Sequence, residues 1–89
     1  MVDKEYEKEK AIEMLKLVEE HERTEDNKEI SRKIHQLADE LYYKKQSQLS
    51  QPMIDVSLAL HSFTQAAASG GPTQPLDEFI PDLKGIIEG

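Results

Sequence analysis

Eighty-nine residues, 37% hydrophobic and 33% charged, suffice for one small domain and leave no room for a second core, since domains typically run to about 100–150 residues. No cysteine is present, which excludes disulfides, thiol catalysis and thiolate metal sites. A formal net charge of −7 argues against nucleic acid, whose phosphates demand a basic face.

The charge is unevenly placed. Residues 1–45 carry ten of the eleven Lys and Arg and thirteen of the eighteen Asp and Glu, whereas Asp55 is the single charged side chain from Gln46 to Leu76. A helix this neutral is expected among its neighbours or under a partner. No 18-residue apolar run occurs, so no membrane span is expected. The opening MVDKEYEKEK is densely charged and no apolar secretory core follows it. The expectation is a cytoplasmic protein with at most peripheral membrane association.

The first helix is predicted over about 3–22. Ala11, Met14, Leu15 and Val18 recur at i, i+3, i+4 and i+7, one helical face. Only Tyr6 is available for burial before Glu9, so the first turns are expected to fray. Glu19 to Glu25 has no apolar residue and reads as a solvated helix end and loop, with His21 inside it.

Asp26 followed three residues later by Glu29 reads as a capping box opening a second helix over 27–45. Ile30, Ile34, Leu37 and Leu41 form its narrow apolar stripe, and Lys44 and Lys45 suit its C-terminus. Ser50 before Gln51 and Pro52 predicts the start of a third helix over 51–69, with Leu49 and Ile54 placed for a hydrophobic staple. Met53, Val56, Leu60, Phe63 and Ala67 make one stripe, and Ile54, Leu58 and Ala59 widen it. This helix is the expected centre of the core.

Gly70, Gly71 and Pro72 form a strong stop. A fourth helical segment is expected over 75–87, using Leu76, Phe79, Ile80, Leu83 and Ile87. Pro81 inside a helix would cost roughly 3 kcal/mol, so this segment is predicted to be bent or split. A turn over 75–80 followed by a helix with Pro81 in its first turn avoids the cost. No strand pattern, hairpin signal or repeat competes. The expected fold is an all-α antiparallel four-helix bundle with a short last member.

No residue pattern points to catalysis. His21, His35 and His61 fall on three segments, and ordinary hydrogen-bonded histidines account for His35 and His61. His21 with Glu22 and Glu25 lacks a second histidine for a metal site. Gly70-Gly71-Pro72 lacks the lysine of a phosphate loop. No enzyme, cofactor or metal is expected. Tyr42 and Tyr43 beside Lys44 and Lys45 read as a core ring and a surface ring, or as a small partner patch. The neutral third helix fits either the buried centre of a monomer or a face covered by a second protein.

The run Pro52-Met53-Ile54-Asp55-Val56-Ser57-Leu58-Ala59-Leu60 follows two Leu/Ile-rich helices. A small-residue loop, Ala66 to Pro72, then leads to a short segment, Leu76 to Ile87. From Ala11 to Ile87 the chain resembles the immunity proteins against pediocin-like bacteriocins, the enterocin A immunity family. That resemblance implies a cytoplasmic, non-catalytic protein guarding a producer cell against its own pore-forming peptide. It implies action at the inner face of the mannose phosphotransferase permease carrying that peptide. It also implies a specificity-determining C-terminal half, here Gly70, Gly71, Pro72, Phe79, Ile80 and Leu83 as candidate partner-binding residues. The competing expectation is a small regulatory, adaptor or secretion-chaperone protein acting by helix–helix binding, as monomer or homodimer.

Overall fold

The first helix begins where a carboxylate can take up a free backbone donor. Asp3 is its N-cap and accepts from the Tyr6 N–H at 3.1 Å. In the computed structural model, which describes residues 1–89, this helix is α1, Lys4–Arg23. It is followed by α2 (Lys28–Tyr43), a single 3₁₀ turn (Gln46–Gln48), α3 (Gln51–Ala68) and α4 (Phe79–Glu88), with no strand. The chain is all-α and its helices pack as a four-helix bundle measuring 37 × 23 × 16 Å.

Each helix packs on its two neighbours in ring order: α1 on α2 and α4, α3 on α2 and α4. Side-chain pairs fix the directions. His35 meets Thr64 and Asp39 meets His61, so α2 and α3 run antiparallel. Leu76, just before α4, meets Glu22 near the end of α1, so α4 starts where α1 finishes.

The apolar stripes meet inside this ring. Ala11, Met14 and Val18 come from α1, and Ile30, Ile34, Leu37, Ala38 and Leu41 from α2. Met53, Val56 and Leu60 come from α3, Phe79 and Leu83 from α4, and Leu49 and Leu76 from the connecting segments. A fully buried Leu or Met side chain stabilises by about 1.5–3 kcal/mol relative to its exposed state, which dominates any cap.

Several local expectations are corrected. The first turns of α1 do not fray: the Asp3 N–H donates to the Gln48 carbonyl at 2.9 Å, and the Glu7 carboxylate accepts from the Ser50 N–H. Tyr6 packs against the core there. The Asp26–Glu29 capping box is absent. Asn27 is the N-cap of α2, yet its amide donates backwards to the His21 carbonyl at 3.0 Å. The last carbonyls of α1 lack helical partners and this short loop brings a donor to one of them. Ser50 stands at the N-cap of α3 without a side-chain cap bond.

α4 is shorter than the expected 75–87. Residues 72–76 have no regular structure, and Pro81 falls in the first turn of a ten-residue helix, where its missing N–H costs nothing. Leu76 is fully buried without being helical. α3 is not enclosed on all sides either. Met53 and Leu60 are fully buried, whereas Gln51, Asp55, Leu58, Ser62, Gln65 and Ser69 are exposed along its outer side.

Candidate functional site: two histidine clusters and a neutral helix face

His21 lies at the α1–α2 corner and is 1% exposed, against the expectation of a solvated end. Its Nδ1 is 2.6 Å from Glu22 Oε2, and its Nε2 is 2.7 Å from Ser31 Oγ. A carboxylate only accepts, so the neutral ring carries its proton on Nδ1, and Nε2 accepts from the Ser31 hydroxyl. Glu22 Oε2 also accepts from the Leu76 N–H at 3.1 Å. The carboxylate thus ties the approach to α4 to the end of α1, and the His21 ring carries the link on to Ser31 of α2.

Ser31, His21 and Glu22 have the connectivity of a nucleophile, base and orienting carboxylate. Access decides what they do. Ser31 is 1% exposed. A cleft of about 250 Å³ beside the cluster is lined by His21, Glu22, Thr24, Asn27, Gln74 and their neighbours, and Ser31 does not reach it. A carbonyl carbon has no route to Ser31 Oγ, so the chain of bonds acts as a structural tie.

The second cluster bridges α2 and α3. The rings of His35 and His61 stack with centroids 4.1 Å apart and planes inclined by 25°. Thr64 Oγ1 donates to the Leu60 carbonyl at 2.7 Å, so towards His35 Nδ1, 3.0 Å away, it accepts. That places the proton of neutral His35 on Nδ1. His61 Nε2 donates to Asp39 Oδ1 at 3.2 Å. Burial pushes the His35 imidazole below the ordinary histidine value, and the neighbouring His61 adds to that shift. Tyr43 lies edge-on to His61, with centroids 5.6 Å apart.

These histidines flank the outer side of α3. Asp55 is its single charge, and its carboxylate accepts from the Gln51 side-chain amide at 2.8 Å. Leu58 is 41% exposed and Tyr43 on α2 is 63% exposed; the other large exposed apolar side chains, Met1 and Val2, precede α1. The outer side of α3 is thus a nearly neutral, partly apolar face, and at the α2 seam His61 meets the exposed Tyr43 ring and the half-exposed Asp39 carboxylate.

The six residues expected to bind a partner do not share one surface. Phe79 and Leu83 are core, and Phe79 meets Phe63 edge-to-face at 5.0 Å. Ile80 is half-buried, and Gly70 and Pro72 are exposed in the α3–α4 loop. Gly70 has φ of 92°, while Gly71 folds back so closely that a Cβ would lie 2.9 Å from the Ala66 carbonyl oxygen. Phe79 and Leu83 therefore leave the expected surface.

A cleft of about 670 Å³ lies between the starts of α1 and α3 and α4, lined by Lys4, Lys8, Pro52, Pro81, Gly85 and Ile86 among others. It contains neither histidine cluster. No three His, Asp or Glu side chains converge to hold a metal ion, and no helix is long and apolar enough to cross a membrane. No protein-family model, curated protein or solved structure matches the chain.

Sequence reading missed the buried polar residues, although a signal for them exists. His21 extends the spacing Ala11, Met14, Val18; Thr64 and Ser57 sit on the stripe Met53, Leu60, Ala67; Ser31 joins Ile34 and Ala38. All four are buried. Each of these four continues an apolar period at three- and four-residue steps, the pattern of a core-facing helical position.

Proposed function

We propose that this chain is a non-catalytic binding protein, and specifically a cytoplasmic immunity protein that shields a producer cell from a pore-forming bacteriocin. The observation supporting it is the outer face of α3, where Gln51, Leu58, Ser62, Gln65 and Ser69 stand exposed with Asp55 as the only charge. A partner can cover such a face without stranding a buried charge, whose desolvation is the principal obstacle to association. The occupant under this reading is the mannose phosphotransferase permease with bound peptide, approached from inside the cell. Gly70 and Pro72 lie just beyond the same helix and extend the surface.

Protection tests this directly. The chain is expressed in a bacteriocin-sensitive host and challenged with a panel of pediocin-like peptides. Selective survival against one or a few peptides is the expected result. Uniform killing, with folded protein confirmed in the cells, eliminates the immunity reading. A second reading is a regulatory or adaptor protein, or a homodimer, and the exposed apolar side chains Leu58 on α3 and Tyr43 on α2 favour it. Solution mass separates the homodimer, since a strict monomer at high concentration removes it.

A further inference from the structure

We propose that the His35–His61 stack is a proton-operated latch between α2 and α3, closed while at least one imidazole is neutral and released when both are protonated. The two rings face each other at 4.1 Å across the helix–helix seam. A proton on each places two like charges at that separation. Asp39 is the carboxylate at the pair, and it is already bonded to His61, so it can offset only one of them. A second proton on His35 goes to Nε2, because Nδ1–H is held by Thr64.

The groups around the pair are few. α2 supplies Asp39 and the Tyr43 ring, and α3 supplies His61 and Thr64. Arg32, one turn before His35, pairs with Glu29 at 3.9 Å. No charged group of α1 or α4 acts on His35. Burial first, then His61, lowers the His35 value, while the His61 carbonyl and Asp39 oppose the shift. A histidine held neutral in the fold adds stability that is complete above its unfolded value of about 6.5. That stability is lost as pH falls towards the lowered folded value. Acid therefore loosens the α2–α3 seam.

Release displaces Tyr43, which rests on the His61 ring, and disturbs the part of α3 that carries His61 and, one turn before it, exposed Leu58. Weaker partner docking in acid follows only if that surface meets a partner, which rests on the function proposed above. The latch itself is read on the isolated chain.

The test is an NMR titration of the wild-type chain from pH 7.5 to 5, with melting temperature measured over the same range. The expected result is a His35 midpoint below the ordinary histidine value, Tyr43 and Leu58 resonances that move with it, and a melting temperature that falls with pH. His35→Asn keeps an N–H donor for Thr64 and carries no charge, so it flattens that fall. An ordinary His35 midpoint with Tyr43 and Leu58 unmoved overturns the latch. So does a His35→Asn chain that melts with the same pH dependence as wild type. Where that variant does not fold, the wild-type titration alone decides. Neither readout involves a partner, so a failed latch and a failed protection assay are distinct results.

Discussion

The carboxylate of Glu22 accepts a hydrogen bond from the backbone N–H of Leu76, 54 residues further along the chain and 3.1 Å away. The same oxygen takes the Nδ1 proton of His21. Glu22 thereby holds the non-helical approach to α4 against the end of α1, and Leu76 can be buried there without the hydrogen bonds of a helix. Secondary structure does not supply this partner, so a side chain must.

Glu22→Ala removes that acceptor from two donors at once. A part-buried donor left unsatisfied costs about 1–3 kcal/mol, so Glu22→Ala is expected to lower stability by that order in urea unfolding. Glu22→Gln keeps a carbonyl acceptor and should lose less. Equal losses for the two variants would show that the charge, and not the hydrogen bond to Leu76, holds the corner.

Ser31 is expected to be chemically silent. A fluorophosphonate probe should leave the folded chain unlabelled, and Ser31→Ala should not change the rate of p-nitrophenyl acetate hydrolysis. The Ser31→Ala chain should still unfold at lower urea, because His21 Nε2 loses its donor. Stoichiometric labelling of Ser31 would overturn the structural role and reopen catalysis.

Phe79 and Leu58 should separate stability from binding. Phe79 is 5% exposed and packed on Phe63, so Phe79→Ala is expected to cost about 3–5 kcal/mol. Leu58→Ser changes an exposed position and should stay within about 0.5 kcal/mol. Under the proposed function, Leu58→Ser loses protection while its melting curve is unchanged. Melting curves and survival assays on both variants check this.

Two substitutions should stabilise. Gly85 lies inside α4, and a Cβ added there meets nothing within 4 Å, so Gly85→Ala is expected to add about 0.5–1 kcal/mol. Ser57 is buried with its hydroxyl unpartnered, and Ser57→Ala removes that polar group at little loss of packing. By contrast, Gly70→Ala is strained at a φ of 92° and should destabilise. Urea midpoints of the three chains give the signs.

Much of the bundle was legible beforehand because helix formation is local. The stripe Ile30, Ile34, Leu37, Leu41 places α2 within one or two residues, and Gly70 to Pro72 ends α3 where expected. The caps were less legible. Asp26 and Glu29 satisfy a capping pattern, yet Asn27 is drawn back to the His21 carbonyl by a neighbour that only the folded hairpin supplies. The first turns of α1 are held against fraying in the same way, by contacts with Gln48 and Ser50 that come from a distant part of the chain.

The candidate site divides along that line. Neutrality from Gln46 to Leu76 is written in the residues, but which half of α3 faces water depends on where α2 and α4 pack. Periodicity places Phe79 and Leu83 on an apolar stripe, and whether that stripe is core or surface is settled by α1 and α3 closing over it.

By itself the sequence determined the all-α class, the four helical segments, the stop at Gly70 and the absence of cysteine chemistry. These follow from spacing, backbone propensity and residue type, which act over a few neighbouring positions. Tertiary structure alone decided that His21 and Ser31 are buried partners, that His35 stacks on His61, and that Glu22 holds Leu76. Those contacts join residues 10, 26 and 54 positions apart, and their hydrogen bonds and like-charge repulsion act through space at a few ångströms.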